Sequence, residues 1–464
     1  MKAILSNMGF VLQITGIFII IPIILSFVFG ETMASLALFI TSTLFFALGF
    51  VLNSLSERKA LSFKQSCGLI ILVFIMLSLI GAIPYIHFIS DGNLVKALTD
   101  SIFESVSGYT TTGFSVISDL TVLPRSILFY RALTQFIGGI GIVLLLLAFF
   151  FPEDKLKQFS RSMGFPENHK IKKTFFLILF IYSVYCIGMF VLGFLLGYRD
   201  IISLVSFIFS AIATGGFSPV NDITNIVSAS PLGYILVASM ALGSLNFIVL
   251  AGLFKLRIKE FFKSEITLFI VLSVFSVLVV KYMFGFGIFD SMFHVVSASS
   301  TTGFSYLPIK DFHTNLKLFL TLLMFVGGTS LSTAGGIKIY RLALIYKAVK
   351  KAVVESITER SISVKLFGKE YDDKEIINSL VVIVLMVILI FVSTGLLTTY
   401  GFSFEDSIFD VTSAVATTGL SSGIVGPSLA MNFKWMFMAL MILGRVEVIA
   451  FFIIMSSAKP VRSF

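Results

Sequence analysis

The sequence DSIFESVSGYTTTGFS, at residues 100–115, recurs with small changes along the chain. Close copies are DSMFHVVSASSTTGFS at 290–305 and DSIFDVTSAVATTGLS at 406–421, and a more divergent copy, SLVSFIFSAIATGGFS, lies at 203–218. A single cluster of small residues in an apolar helix is typical of helix packing. Each of the four copies, however, has a serine six residues, and a threonine two residues, before its last glycine. This shared spacing indicates four related units, whose last glycines are Gly113, Gly216, Gly303 and Gly419.

The composition of the chain is that of a membrane protein. Of the 464 residues, 57% are hydrophobic and 13% are charged, whereas soluble proteins carry about 25% charged residues. Apolar runs of the length that crosses a bilayer, roughly 20 residues, recur throughout. They lie near 8–29, 35–54, 67–86, 126–150, 174–197, 231–254, 264–284, 314–349, 376–400 and 432–457. We therefore predict an all-α polytopic membrane protein.

The basic residues predict the orientation of the chain. If the N-terminus is cytoplasmic, 25 of the 34 lysines and arginines fall on that side, and Arg445 lies within a span. The eight on the opposite side are Lys96, Arg125, Arg131, Arg199, Lys281, Lys310, Lys317 and Lys434. This bias follows the positive-inside rule. Because the net charge of +9 is scattered over five loops and the C-terminal tail, it does not indicate a nucleic-acid partner.

Several kinds of chemistry have no signature in the sequence. Cys67 and Cys186 are isolated, one at a helix end and one inside a span, so we predict no disulfide. Neither HExxH nor a Walker phosphate loop is present. The glycines of GGIGIV at 138–143 lie inside an apolar run, which favours close helix packing over a dinucleotide site. We predict that the protein is not an enzyme and carries no covalently bound cofactor.

Each copy is too short to cross a membrane. The first residues, Asp100, Ser203, Asp290 and Asp406, are of types that favour helix N-caps. From there to the threonines the chain makes roughly 15–18 Å of helix, about half of a 30 Å hydrocarbon core. Because the orientation puts both ends on the outer side, each copy is predicted to enter as a short helix and return as extended chain. Such backbone is tolerated only where it is buried in protein or lines water, so four copies around one axis predict a pore.

The residue types at the end of each copy suit a monovalent cation. Glycine allows positive φ and close approach to an axis, and rings of carbonyl and hydroxyl oxygens replace a cation's hydration shell. The partially negative C-terminal ends of the short helices also favour a cation over an anion. We call residues 111–113, 214–216, 301–303 and 417–419 the filter segments. The predicted ion-binding residues are Thr111, Thr112, Gly113, Thr214, Gly215, Gly216, Thr301, Thr302, Gly303, Thr417, Thr418 and Gly419.

With these four units and segments, residues 67–464 resemble the Trk/Ktr/HKT superfamily of potassium-translocating subunits. The resemblance implies four M1–P–M2 units in pseudo-fourfold arrangement, with 8–54 as the extra N-terminal helix pair of the TrkH type. Glycine at all four filter positions implies potassium, since a serine in the first goes with sodium in some members. The resemblance also implies a bacterial inner-membrane protein, a homodimer, and a cytosolic, nucleotide-binding RCK-type regulatory subunit. The predicted domains are 1–60, 61–155, 156–258, 259–355 and 356–464.

The stretch GGTSLSTAGGIK, residues 327–338, interrupts the apolar run that begins near 314. Its glycines and hydroxyls make a poor helix interior, so the run is predicted to break into two helices around a loop. The matching loop in the family is a gate beneath the filter; a kink or packing seam is the alternative. We call 327–338 the gate loop. The predicted gate residues are Gly327, Gly328, Thr329, Ser330, Ser332, Thr333, Gly335, Gly336 and Arg445.

Arg445 lies eleven residues after Lys434 and fourteen before Lys459, inside an apolar run. A mid-membrane arginine costs at least about 2.5–3.5 kcal/mol, so we predict that Arg445 faces the pore. A structural ion pair or hydrogen bonds to loop carbonyls are the alternatives. Glu447, two residues on, would point away from it on an ideal helix.

Polar residues also share one position within the copies. Glu104, His294 and Asp410 stand nine residues before the glycine, where the second copy has Phe207. Such residues either tune the local potential or form hydrogen bonds on the helix surface.

Two other function classes fit the sequence less well. A secondary transporter of another small substrate with broken helices would have inverted repeats, but all four copies run in the same direction. An intramembrane enzyme would need a paired catalytic constellation, which the spans lack. A less selective pathway for potassium and sodium remains open, as does the choice between a channel and an ion-coupled symporter.

Overall fold

The computed structural model describes residues 2–55, 61–89, 92–141, 171–228, 230–254, 258–358, 363–367 and 369–447. These residues are mostly helical, and the filter segments and the gate loop are among the stretches that are not. One antiparallel hairpin, β1 Val364–Leu366 with β2 Lys369–Tyr371, is the one sheet among them, and it pairs Val364 with Tyr371.

The N-terminal helices form a closely packed pair. They are α1 Lys2–Val28 and α2 Thr32–Ser54. A β-carbon added at Gly9 would lie 2.5 Å from the carbonyl oxygen of Gly49, so these two backbones touch without intervening side chains. Between the helices, the Glu31 carboxylate accepts hydrogen bonds from the backbone N–H groups of Arg125, at 2.7 Å, and Ser126, at 3.0 Å. These hydrogen bonds add to the apolar packing of the pair against the helices that follow.

The remaining helices follow the pair in chain order. They are α3 Phe63–Gly81, α4 Ile83–Ile89, α5 Leu94–Tyr109, α6 Arg125–Phe136, α7 Ile171–Leu195, α8 Ile201–Ile212, α9 Thr224–Ser228, α10 Leu232–Ser244, α11 Phe247–Phe254, α12 Ile258–Phe262, α13 Glu265–Phe284, α14 Ile288–Ser299, α15 Thr314–Val326, α16 Ile339–Thr358, α17 Asp373–Thr399, α18 Phe404–Val415 and α19 Met431–Val446. A π-helical turn, Ile137–Gly141, continues α6, and two 3-10 turns lie at Leu120–Val122 and Ile309–Asp311.

Six of the described helices have the length and apolar composition needed to cross a membrane. They are α1, α2, α3, α7, α13 and α17. Between them, four short and largely buried helices, α5, α8, α14 and α18, each carry one copy of the repeated sequence. Each short helix follows one of the long helices and precedes one of α6, α10, α15 and α19. The order supports four related units, while the domain boundaries themselves stay a prediction.

The short helices begin earlier than predicted. The side chains of Asn93, Asp200 and Ser403 cap α5, α8 and α18, and Gly287 precedes α14. The predicted caps therefore lie inside the helices, and that prediction was wrong. Asp100 and Asp406 instead form ion pairs with lysines of other units: Asp100 Oδ1 lies 2.6 Å from Lys434 Nζ, and Asp406 Oδ1 lies 2.8 Å from Lys317 Nζ.

Three of the eight basic residues assigned to the outer side are buried in the protein. They are Arg131, Lys317 and Lys434. Each is paired with a carboxylate, Arg131 with Glu104 at 3.3 Å. Because their charges are buried and paired inside the protein, they do not count in the comparison of the two sides, and Arg341 on the predicted cytoplasmic side, buried and paired with Glu447, drops out for the same reason.

Several predicted spans end or break inside the described residues, and two of these changes bear on the site. The run 231–254 separates into α10 and α11 around residues 245–246. In the run 432–457, α19 ends at Val446, so Arg445 lies in the last helical turn and not in mid-helix as predicted. Glu447 has φ +62, a conformation that does not continue a helix. Residues 142–150 and 448–457 of the predicted runs lie outside the described residues.

The cysteines agree with the prediction of no disulfide. Cys67 and Cys186 are both buried, and both thiols are free.

Candidate ion pathway

The four filter segments share one backbone conformation. Each short helix ends four residues before its glycine, and the chain then turns through two residues with positive φ. The threonines have φ values of +54 at Thr111, +51 at Thr214, +55 at Thr301 and +51 at Thr417. The glycines have φ values of +92 at Gly113, +75 at Gly216, +89 at Gly303 and +87 at Gly419. Positive φ is uncommon for a β-branched residue, so its recurrence at four threonines marks one conserved turn geometry within this chain.

The filter segments form a closed ring. A β-carbon added at any of the four glycines would overlap a carbonyl oxygen of a neighbouring segment. The pairs are Gly113 with Gly215, Gly216 with Thr302, Gly303 with Thr418, and Gly419 with Thr112. Following these pairs leads from the first segment through the second, third and fourth and back to the first. The ring therefore brings all twelve predicted ion-binding residues together, with one carbonyl from each segment against the next glycine.

Several hydroxyls of the ring have no protein partner. Among the described residues, the buried Oγ1 atoms of Thr111, Thr417 and Thr418 make no hydrogen bond. The other two hydroxyls at the turn are engaged: Thr214 Oγ1 donates to Ala213 O at 2.7 Å, and Thr301 Oγ1 accepts from Gly335 N at 2.6 Å. Buried polar atoms normally have partners. Thr418 lacks a partner because Ala416 stands where the first and third copies have Thr110 and Ser300. The hydroxyls of Thr111 and Thr417, at the turn itself, are candidate ligands for a cation.

In three of the four copies, the residue nine positions before the glycine forms hydrogen bonds with the chain that leaves the ring. Glu104 Oε1 accepts from Ser115 Oγ at 2.6 Å and from Val116 N at 2.7 Å. Asp410 accepts from the N–H and hydroxyl groups of the corresponding segment, among them Ser422 N at 2.6 Å. His294 Nε2 lies 3.2 Å from Ser305 Oγ. These side chains are hydrogen-bonded, as one of the two readings has it, but they are buried and do not lie on the helix surface. Their effect on the local potential stays a prediction.

The gate loop lies between α15 and α16 and is not helical, as predicted. Its Gly335 bonds to Thr301 of the ring, and a β-carbon at Gly335 would overlap Ala416 O at the end of α18. Thr333 Oγ1 donates to Ile212 O, at the end of α8, at 2.8 Å. The loop therefore contacts the C-terminal ends of two short helices and one filter threonine.

The opposite side of the gate loop is attached to the break after α10. Thr329 N and Oγ1 donate to Ser244 O at 3.0 and 2.8 Å. Ser330 Oγ donates to the carboxylate of Glu265, a buried residue that also accepts from Asn246 Nδ2 at 3.0 Å. Glu265 was not singled out from the sequence, because an acidic residue at the start of a helix is common. The signal in the sequence is a single carboxylate at the start of the apolar run 264–284.

Arg445 binds the gate loop to the π-helical turn. Its Nη1 donates to Thr333 O at 3.0 Å, and its Nη2 donates to Gly138 O at 2.7 Å and to Gly139 O. Of the alternatives left open for Arg445, hydrogen bonds to loop carbonyls are the ones observed. Glu447 is not its partner, as predicted; Glu447 Oε2 instead lies 2.8 Å from Arg341 Nη2, at the far end of the loop.

Metal-ligating clusters of another kind are not found in the part of the chain that the structure describes. Within it, no group of three or more His, Cys, Asp or Glu side chains could hold a metal ion. The candidate cation ligands are the oxygens of the filter segments.

The similarities to known proteins agree with this architecture. The model of the TrkH family, described as cation transport proteins, matches residues 34–264 and 261–463. An uncharacterized cation transporter of Methanocaldococcus jannaschii is 31% identical over 97% of this chain and 94% of its own. The Trk system potassium uptake protein TrkH of Salmonella typhimurium is 27% identical, with 84% of this chain and 85% of its own covered. The Trk system potassium uptake protein TrkG of Escherichia coli is 25% identical over 97% and 96% of the two chains.

A solved structure has the same fold. The crystal structure of the potassium transporter TrkH from Vibrio parahaemolyticus superposes with a TM-score of 0.82, at 22% identity, and covers 98% of both chains. This match confirms the predicted all-α membrane fold, and the family model confirms the resemblance drawn from the filter segments. The chain is a multi-pass membrane protein that belongs to the TrkH family of cation transport proteins.

Proposed function

We propose that this protein takes up potassium ions across the membrane through the ring of filter segments. The observation that carries the proposal is the closed ring itself, in which four backbone carbonyls stand against four glycines. Such rings replace the hydration shell of a monovalent cation. The relatives described as potassium uptake proteins support the choice of ion. Potassium is then the transported substrate, and the protein is neither an enzyme nor a carrier of a covalently bound cofactor.

The selectivity of the ring would come from its backbone. The residues proposed to bind potassium are Thr111, Thr112, Gly113, Thr214, Gly215, Gly216, Thr301, Thr302, Gly303, Thr417, Thr418 and Gly419. The ends of α5, α8, α14 and α18 stand four residues before the ring glycines, so their partial negative charges add to the attraction for a cation. Four segments of the same direction fit this pathway better than the two inverted repeats of a typical secondary transporter.

The gate loop would close the pathway below the ring. Its contacts with Thr301, Ile212 O and Ser244 O support this role, as does Arg445, which adds a fixed positive charge next to the loop. The residues proposed to form the gate are Gly327, Gly328, Thr329, Ser330, Ser332, Thr333, Gly335, Gly336 and Arg445. Moving the loop would open the path without disturbing the ring glycines.

The proposal extends to the setting of the protein. We propose a bacterial inner-membrane subunit with a cytoplasmic N-terminus, supported by the positive-inside bias. Its partners would be membrane lipid, a second copy of the chain in a homodimer, and a cytosolic nucleotide-binding regulator of the RCK type. The basic segment 338–375 would face that regulator. The domain boundaries 1–60, 61–155, 156–258, 259–355 and 356–464 belong to the same proposal.

The proposal is tested by flux into liposomes that contain the purified protein. Gradients of potassium, rubidium or sodium are imposed one at a time, with no other driving force, and protein-free liposomes serve as the control. We expect potassium and rubidium to move and sodium to move at least about tenfold more slowly. Equal sodium movement would support the less selective pathway, and movement only with a second ion gradient would support symport.

A contact between ring and gate gives a sharper prediction. Thr301→Val removes the acceptor for the Gly335 N–H group, whereas Thr214→Val removes a hydroxyl that donates to the carbonyl oxygen of the preceding residue, Ala213. Both threonines have nearly the same φ, +55 and +51, so backbone strain is matched. Losing one buried hydrogen bond is worth about 1 kcal/mol, so Thr301→Val should raise flux without the regulator about fivefold relative to Thr214→Val. Equal flux in the two variants would contradict a closing contact at Thr301.

A further inference from the structure

The second copy lacks two polar side chains that the other three copies have, one in the filter segment and one in the short helix before it. It carries Gly215 where the others carry Thr112, Thr302 and Thr418, and its short helix carries Phe207 where the others carry Glu104, His294 and Asp410. In the first segment the Thr112 hydroxyl lies 2.8 Å from the hydroxyl of Thr110. In the third, the Thr302 hydroxyl lies 2.7 Å from that of Ser300. The second segment therefore needs support from elsewhere.

Gln135 of α6 fills the space beside Gly215. Its side chain is fully buried, and its Nε2 donates to Gly215 O at 2.7 Å while its Oε1 accepts from Phe217 N at 3.2 Å. A β-carbon added at Gly215 would overlap the carboxamide carbon of Gln135. The glutamine thus occupies the volume that a threonine side chain takes in the other segments. Gly215 O is also the ring carbonyl that stands against Gly113, so Gln135 holds one of the ring's oxygens.

Arg131, one turn earlier on α6, takes the place of the missing polar residue at Phe207. Its Nη1 donates to Ser218 O at 2.9 Å, and Ser218 stands two residues after its glycine, as Ser115 does in the first segment. Its Nη2 lies 3.3 Å from Glu104 Oε2, and its guanidinium lies 4.1 Å from the centre of the Phe217 ring. One buried cation therefore joins the chain leaving the second segment to the residue that supports the first.

We infer that Gln135 and Arg131 are positioning residues that hold the second filter segment from the neighbouring unit, and that the potassium selectivity of the ring depends on Gln135. This inference rests on the proposed function. A ring of carbonyls discriminates between cations through the number and placement of its oxygens. Releasing Gly215 O from Gln135 lets one of these oxygens move, although Gln135 does not itself line the ring.

The test adds a threonine side chain to the second filter segment and removes that of Gln135. Three variants are compared by their ratio of potassium to sodium flux in liposomes: Gln135→Ala, Gly215→Thr and the double variant. Each single variant should lower the ratio by about tenfold, the first through a lost buried hydrogen bond and the second through overlap with Gln135. In the double variant the threonine occupies the space left by the glutamine, so the ratio should recover to within about threefold of the unmodified protein. A threonine at 215 would stand two residues after Ala213, just as Thr418 stands two residues after Ala416 in the fourth copy, where the ring accommodates it.

Two controls make the outcome decisive. Thr134→Val removes a buried hydroxyl that bonds to Arg131 O within α6, at 2.6 Å, and should leave the ratio unchanged. Gly113→Ser is measured in parallel. If Gly113→Ser lowers the ratio while Gln135→Ala leaves it within about twofold, the inference fails and the proposed filter stands. If the double variant lowers the flux ratio by the product of the two single-variant decreases, the inference fails as well. If no variant changes the ratio, both the inference and the proposed filter fail.

Discussion

Replacing Arg445 with alanine is expected to raise potassium flux through the regulator-free protein by at least about tenfold. Two positive charges about 5 Å apart repel by roughly 3 kcal/mol at an effective dielectric constant of about 20. Arg445 also holds the gate loop through Thr333 O and the π-helical turn through Gly138 O. Its removal takes away a fixed charge beside the proposed pathway and the hydrogen bonds that hold the loop, and we expect both changes to favour flux.

Arg445→Lys separates the charge from the bonds. A lysine keeps the positive charge but cannot bridge Thr333 O and Gly138 O with a planar guanidinium. Flux is measured in liposomes, and the ratio of potassium to sodium flux should stay close to that of the unmodified protein in both variants. The lysine variant should lie between the alanine variant and the unmodified protein. If the alanine variant has lower potassium flux or unfolds while the lysine variant folds, Arg445 stabilises the fold and is not a barrier to the ion.

The fold and the ring could be predicted from the sequence because their signals are local and repeated. A glycine at a close backbone approach and a threonine two residues earlier recur four times, and each copy alone specifies the same turn. The gate loop was equally visible, since several glycines and hydroxyls interrupt an apolar run. In each case residues close together in the chain determine the feature.

The contacts between units could not be predicted in this way. Gln135 and Gly215, or Lys434 and Asp100, are far apart in sequence, and spacing within one helix says nothing about which unit faces it. One signal was available but was not used: a lone glutamine in the apolar run 126–150, together with a glycine where three copies have threonine. A polar side chain inside a membrane span usually has a specific partner.

The breaks in the helices that follow the short helices, α6, α10 and α19, were also not predicted. Only the gate loop was predicted, yet α6, α10 and α19 also lose regular helix structure, each beside the end of a short helix. At each of these breaks a glycine lies against the end of its own unit's short helix, where a β-carbon would overlap a carbonyl oxygen. The pairs are Gly138 with Tyr109, Gly243 with Ile212, and Gly444 with Val415. A single glycine in an apolar run carries too little information to predict a break, because its cause is a neighbour from another part of the chain.

Replacing Gly113 with serine is expected to lower the ratio of potassium to sodium flux by at least about tenfold and to reduce potassium flux itself. A serine side chain at this position would overlap Gly215 O of the neighbouring filter segment, and the φ of +92 is strained for any residue with a β-carbon. The ring must then open on one side, which displaces the carbonyl of Gly215. Fewer well-placed oxygens discriminate less well between a larger and a smaller cation.

Gly401→Ser is the matched control for this variant. Gly401 also has φ +92, but nothing lies within 4 Å of a β-carbon added there, so its backbone strain is the same and its crowding is absent. Both variants are assayed in liposomes with potassium and sodium gradients, and thermal unfolding is followed for each. Similar melting of the two variants with a changed flux ratio only for Gly113→Ser would place the effect in the ring. An unchanged ratio for Gly113→Ser, or an equal change for Gly401→Ser, would contradict a role for Gly113 in selecting the ion, because strain alone would then account for the result.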